Sequence, residues 1–381
     1  ATGTSGNRLR FIYGSASDRG VYEYNDGMTG LIFTPGPTGA TGGAIRIPNA
    51  LATNRDDNLI YYTWTATGGA TGTPHVYAYD YVNKEEFEVA PISNSPSSPF
   101  MDAINNEGGP TQMIDALGAT YHNGVYYLAG EYDNSDWGNS TDGYYRCVMG
   151  PYVPGSGVQQ ITNVTYIKWS DNKGAVETVS LNSGGTGYNN PPYENTPTCG
   201  GCGTGLTVSF ETDGGGGIDG GTLEVYNAGS GYTTNDTVGV VGGSGFINVL
   251  DLYDFYDHKN NRTMGDMAYN HNSGMLMISS NNRTSSHPSS IAICDPSSGV
   301  IHHSEPFTGD ITTQPGTLDH AQITWDASGA IIVSARFFGG DHTHLYSINT
   351  QSGYCKERLP ELPGNIYDLA EYISQPCGLG T

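Results

Sequence analysis

Six Asp or Asn residues recur along the chain, and each opens a short β-prone run. The runs are Asn49-Ala-Leu-Ala-Thr, Asp115-Ala-Leu-Gly-Ala-Thr-Tyr, Asn163-Val-Thr-Tyr-Ile-Lys-Trp, Asp266-Met-Ala-Tyr, Asp319-His-Ala-Gln-Ile-Thr-Trp and Asp368-Leu-Ala-Glu-Tyr. If these runs stand side by side around one axis, their opening residues converge on one mouth and present carboxylates and amides together. Ca²⁺ takes six to eight such oxygens and tolerates irregular geometry, so a calcium site is one expectation. Crowded carboxylates without an ion would repel one another and hold protons more tightly. The other expectation is architectural: short Asp and Asn side chains accept bonds from nearby backbone N–H groups and fix a turn.

Other constellations are thinner. The loop Glu131-Tyr-Asp133-Asn134-Ser-Asp136, with Asp142 beyond it, alternates oxygens and could hold a second Ca²⁺, although it lacks the spacing of an EF-hand loop. Cys199-Gly-Gly-Cys202 is half a zinc site with no second pair, which leaves a local disulfide or two free thiols. His342-x-His344 would share one side of a strand, but Gly339-Gly340-Asp341 favours a loop there. His302, His303 and His320 lie in the same third of the chain. Trp64, Trp137, Trp169 and Trp325 could stack on sugars or pack between sheets. There is no Gly-x-Ser-x-Gly elbow, phosphate-binding loop or His-Glu-x-x-His. A glycosidase needs only two carboxylates at a suitable separation, so that chemistry stays open.

The elements that must position these residues follow from the spacing. Most intervals between openers are 48 to 66 residues and one is 103. A period near 50 with several strands per unit predicts an all-β propeller. A second repeat supports it. Val21-Tyr-Glu-Tyr-Asn25, Ile291-Ala-Ile-Cys-Asp295 and Leu345-Tyr-Ser-Ile-Asn349 each alternate, then reach a polar turn closed by Gly30, Gly299 or Gly353. Six openers predict six blades of four antiparallel strands. The last opener has no partners after it, and the N-terminus has three strands without an opener. The C-terminal strand is therefore expected to close the ring as the inner strand of the N-terminal blade, which removes free edges.

The long interval predicts an insertion in blade four. Ser180-Leu-Asn-Ser-Gly-Gly-Thr-Gly-Tyr188 matches Glu224-Val-Tyr-Asn-Ala-Gly-Ser-Gly-Tyr232, and Gly203-Thr-Gly-Leu-Thr-Val-Ser-Phe210 matches Gly243-Ser-Gly-Phe-Ile-Asn-Val-Leu250. The expected organisation is propeller over 1–174, a two-repeat β-module over 175–250, and propeller again over 251–381. The Gly-rich pattern of this segment resembles repeats of phage virion fibre and appendage proteins, and also repeats of bacterial secreted surface proteins. That resemblance implies a subunit of an extracellular assembly.

Composition narrows the partners. Lys plus Arg is 15 against Asp plus Glu 38, a formal charge of -23, which repels nucleic acid and anionic membranes. No apolar run approaches the roughly 20 residues of a membrane span, so no membrane insertion is expected. A first residue Ala1 implies a removed leader or initiator Met. Fifty-five Gly and 27 Tyr suit many short strands and turns. The sequence reading is a non-enzymatic extracellular structural or adhesive subunit of an appendage, a virion fibre or surface filament, whose partners are copies of itself, other appendage subunits or surface glycans. The alternative is a secreted carbohydrate-active enzyme or lectin using the acidic channel mouth.

Overall fold

A computed structural model describes residues 9–15, 18–35, 45–67, 74–107, 115–131, 143–171, 176–189, 193–252, 262–282, 289–314, 316, 318–337, 342–362 and 366–373. In chain order the first strands are β1 (Arg10–Ser15), β2 (Val21–Asn25) and β3 (Met28–Phe33), then β4 (Ile45–Asn54), β5 (Leu59–Thr67), β6 (His75–Asp80) and β7 (Glu85–Pro91). The short helix α1 (Met101–Glu107) precedes β8 (Asp115–His122), β9 (Val125–Glu131), β10 (Gly143–Met149), β11 (Ile161–Lys168) and β12 (Ser170–Asp171). Next come β13 (Val176–Ser183), β14 (Tyr193–Cys199), β15 (Thr204–Phe210), β16 (Glu224–Ser230), β17 (Thr237–Val240) and β18 (Phe246–Leu252). The chain ends with β19 (Arg262–Asn270), β20 (Met275–Asn282), β21 (Ser290–Cys294), β22 (Val300–Pro306), β23 (Thr308–Gly309), β24 (Leu318–Trp325), β25 (Ile331–Phe337), β26 (Thr343–Asn349), β27 (Tyr354–Leu362) and β28 (Ile366–Glu371).

These strands form a propeller closed by its C-terminal strand. The sheet orders are β28-β1-β2-β3, β4-β5-β6-β7, β8-β9-β10-β11, β19-β20-β21-β22 with β12 on its outer edge, and β24-β25-β26-β27 with β23 on its outer edge. β28 pairs antiparallel with β1, Phe11 opposite Glu371 and Gly14 opposite Asp368. Five buried apolar clusters lie between successive sheets. One joins the first sheet to the second through Ile12, Leu51 and Tyr62, and others follow around to Phe11, Ile332 and Leu369, which join the fifth sheet to the first. Every sheet thus buries both faces, and the aromatic side chains fill the wedges: Phe33 stacks on Tyr79 with ring centres 4.0 Å apart.

Among the described residues the ring has five four-stranded blades, where the sequence spacing predicts six. The difference is Asn163. Its run is β11, the outermost strand of the third sheet, paired along its length with β10. Asn163 is exposed there. Without β11 the Asp115 sheet would have three strands, so the 48-residue interval measures the distance to an outer strand and not to a new blade. The predicted fourth blade is instead built from β12 and β19–β22, and the Gly-rich segment interrupts it between β12 and β19.

Turn chemistry agrees with the sequence. Asp26-Gly27 and Asn123-Gly124 have φ of 49°, 95°, 46° and 79°, the two-residue turn whose twist matches a hairpin. Asp295 Oδ1 accepts from Ser297 N and Ser298 N at 2.8 and 2.9 Å, tying the polar turn ahead of Gly299. Lys356–Leu362 is part of β27 and pairs with β26, and Pro360 within it would not fit a helix.

Residues 176–252 form a separate six-stranded sheet, β13-β18-β17-β14-β15-β16, over its own core of Val208, Val238, Ile247 and Val249. The two repeats interlock. Tyr188 of the first lies against Gly243 and Gly245 of the second, donating from its hydroxyl to Val240 O at 2.9 Å and accepting from Gly245 N at 3.1 Å. Gly185 and Gly229 occupy equivalent places, both at φ 59°, where a Cβ would strike backbone 2.4 and 2.5 Å away. Those contacts are why the repeated motif is glycine-rich.

Candidate functional site

The five inner strands β4, β8, β19, β24 and β28 surround the axis. Each carries a register shift at or next to its opening residue: Asn49/Ala52, Ala116/Gly118, Met264/Met267, Leu318/His320, and Gly14/Ser15 opposite Asp368. A bulge needs a local acceptor for the backbone N–H that it turns out of the ladder, and the short polar side chain provides it. Asn49 Oδ1 accepts from Ala50 N at 2.9 Å, Asp266 Oδ1 from Met267 N at 2.6 Å and Asp368 Oδ1 from Leu369 N at 2.8 Å. The second oxygen of each carboxyl reaches another blade. Asp266 Oδ2 accepts from Ile323 N on β24 at 3.0 Å, and Asp368 Oδ2 accepts from Leu51 N on β4.

Asp266 and Asp368 are fully buried. Their carboxyls also hydrogen-bond each other across the axis. Burial pushes both well above the usual carboxylate range, and the neighbouring Asp368 charge raises Asp266 further. Burial thus favours the protonated form of both carboxyls in the folded state. On the β8 side, Gly118 leaves no room for a side chain: a Cβ there would sit 2.5 Å from the Asp266 Cα. This end of the channel is closed. A cation seated on these two carboxyls would have to displace four backbone N–H donors and bound protons.

Of the remaining predicted residues, the side chains of Asp115 and Asp319 lie outside the described set, as do Asp133, Asp136, Asp142 and Trp137. Asn163 is far from the axis, on β11. Cys199 and Cys202 are exposed free thiols, and Cys202 N and Sγ both donate to Asp236. His344 bonds Glu357 on the neighbouring strand at 3.1 Å. Trp325 packs between sheets and donates to Tyr269 O at 2.8 Å, the packing role for an inter-sheet aromatic.

The opposite end of the same strands holds a cluster that sequence reasoning missed. Arg55, His122, His271, Trp325 and Glu371 stand at or just past the ends of β4, β8, β19, β24 and β28, one per blade. His271 Nε2 donates to Glu371 Oε1 at 2.7 Å, and Arg55 Nη2 pairs with Glu371 Oε2 at 3.0 Å. His271 Nδ1 and His122 Nδ1 are 3.2 Å apart. His122 stacks on Tyr269 with ring centres 3.8 Å apart. Burial, then the facing His271, holds the His122 imidazole below its usual value against the opposing pull of Glu371. Below the cluster, a cleft of about 10 Å³ is lined by all five inner strands, including Thr53, Thr120 and Thr324; it has room for about one water molecule. The signal that could have found the cluster is positional, since each residue follows its own inner strand.

No family model matches the chain, and no curated protein matches it. Solved structures do. TolB from Acinetobacter baumannii is 11% identical, with a TM-score of 0.38, over 97% of this chain and 69% of that one. The periplasmic gluconolactonase of Pseudomonas aeruginosa is 12% identical, with a TM-score of 0.35, over 95% and 98%. An α-L-arabinanase of Penicillium chrysogenum is 11% identical, with a TM-score of 0.32, over 86% and 83%. Likeness this distant does not carry an activity to this chain.

Proposed function

We propose that the protein is a non-enzymatic extracellular subunit of an assembled appendage, a virion fibre or a surface filament, with a structural or adhesive role. The observation that carries the reading is the use of the opening carboxyls. Asp266 and Asp368, the side chains best typed for acid–base work, are sealed from solvent and spent on joining blades. A ring knotted through its own axis is a rigid building block. The Gly-rich sheet supports the assembly part of the reading, because it exposes Tyr226, Val241, Phe246 and Leu250, each at least 47% accessible. Exposed large apolar side chains on one small sheet suit contact with another subunit.

Replacing 183–245 by Asn-Gly, which leaves β13 and β18 as a paired stem, tests this. The ring is expected to melt as before and assembly to be lost. A truncated chain that assembles normally overturns the proposal.

The second reading, a carbohydrate-active enzyme or lectin, draws on the open mouth, where Arg55, His122, His271 and Glu371 stand beside Tyr269 and Trp325. Polar groups next to aromatic rings are the means by which proteins hold sugars. Glycan screening separates the two. Turnover abolished by Glu371→Gln would establish the enzyme, and binding without turnover would establish an adhesive propeller.

A further inference from the structure

We propose that His122 and His271 form a site for a divalent transition metal of the zinc class at the open mouth of the channel. Three features lead there, and none depends on the appendage reading.

The first is the separation of the two ring nitrogens. His122 Nδ1 and His271 Nδ1 are 3.2 Å apart. Two imidazole nitrogens at Zn–N distances of about 2.0–2.1 Å in a tetrahedral shell stand roughly 3.3–3.4 Å from each other. The rings are tilted by 54°, so they do not stack face to face and can aim at one point between them.

The second is the tautomer. An ionised carboxylate only accepts, so Glu371 Oε1 fixes the proton of His271 on Nε2. That leaves the neutral ring's lone pair on Nδ1, facing His122. A ligand imidazole whose far nitrogen donates to a carboxylate is the usual outer-shell arrangement of a metal-bound histidine. Arg55 in turn holds the other Glu371 oxygen at 3.0 Å, which fixes the carboxylate's orientation. The charges of Arg55 and Glu371 cancel, so the pair leaves no net repulsion toward a cation.

The third is support and access. Tyr269 backs the His122 ring at 3.8 Å, while the His271 side chain is 40% accessible, so an ion can enter from solvent. Among the described residues no three His, Cys, Asp or Glu side chains are placed to hold one ion together. The protein therefore supplies two ligands and water the rest. Open coordination positions of that kind let a bound metal take an oxygen from a partner's carboxylate or hydroxyl.

The test is titration of the full chain with Zn²⁺ and Co²⁺ in a Cys199→Ser, Cys202→Ser background, read by calorimetry and by the Co²⁺ absorption spectrum. We expect one ion per chain, Co²⁺ bands without a thiolate charge-transfer feature, and at least a tenfold loss of affinity in His122→Ala and in His271→Ala. Glu371→Gln, which keeps the side chain's shape, should lose tenfold or more as an outer-shell partner. Circular dichroism verifies that each variant folds, and His302→Ala controls for binding at an exposed surface imidazole. Failure to bind at one ion per chain overturns the site. So does binding that His122→Ala and His271→Ala leave unchanged while His302→Ala weakens it.

Discussion

The two ends of the channel are made by the same five strands and could hardly differ more. At the closed end, Asn49, Asp266 and Asp368 are buried, and their oxygens satisfy backbone donors on their own and neighbouring strands. At the open end, Arg55, His122, His271 and Glu371 bond mainly to one another and reach solvent. Polar groups in a low-dielectric interior must be fully paired and are costly to disturb, whereas half-exposed ones are inexpensive to alter. Polar residues of the first kind hold the ring, and those of the second are free to meet a ligand.

Substitutions at the closed end should cost most. Asp368→Ala would orphan Leu51 N and Leu369 N and remove the partner of Asp266, a loss of about 3–5 kcal/mol. Urea melts would show it, and a variant within 1 kcal/mol of wild type would mean that these acids do not join the blades. Gly118→Ala is the next largest. Its Cβ would meet backbone at 2.5 Å, so β8 must move away from β19, at a cost of roughly 1–3 kcal/mol.

The carboxyl pair also sets a pH dependence. Both acids have folded values raised above the unfolded carboxyl range near 4. A raised group contributes its full stability below the unfolded value and loses it as pH rises through the folded one. Wild type should therefore lose stability from mildly acid toward alkaline pH. Asp266→Asn removes one titration and part of the hydrogen bonding. It should start about 1–2 kcal/mol below wild type at pH 5, and the gap should narrow toward pH 9. Parallel curves across that range would mean that Asp266 does not hold its proton more tightly in the folded state.

The closed end was partly legible in the sequence, and the open end was not. An opener must be short and polar because a bulge turns a backbone N–H out of its ladder, and that local requirement leaves a local pattern at Asn49, Asp266 and Asp368. The same pattern at Asn163 misled, since a β-prone run after Asn also describes an outer strand, and only pairing with β10 distinguishes the two. Ring closure was legible from strands left without partners at both termini. The His122–His271–Glu371 cluster joins residues 149 and 100 positions apart. No spacing along the chain encodes it, because a five-membered ring brings those strand ends together where a six-membered ring would pair different neighbours.

At the open end a substitution should cost the fold little. Arg55 is 46% accessible and its one described ion pair is with Glu371. A half-exposed pair of this kind contributes about 1 kcal/mol or less. Arg55→Ala should therefore leave the melting curve nearly unchanged, far from the loss expected of Asp368→Ala only three residues before Glu371. Its consequence should appear at the His122 imidazole. Without the guanidinium, the Glu371 charge acts undivided on His122, whose imidazolium form it favours. The His122 ring resonances followed by NMR from pH 5 to 8 should titrate at higher pH in the variant than in wild type. If Arg55→Ala instead destabilises the fold by several kcal/mol, the open end carries structure as the closed end does, and the division between them fails.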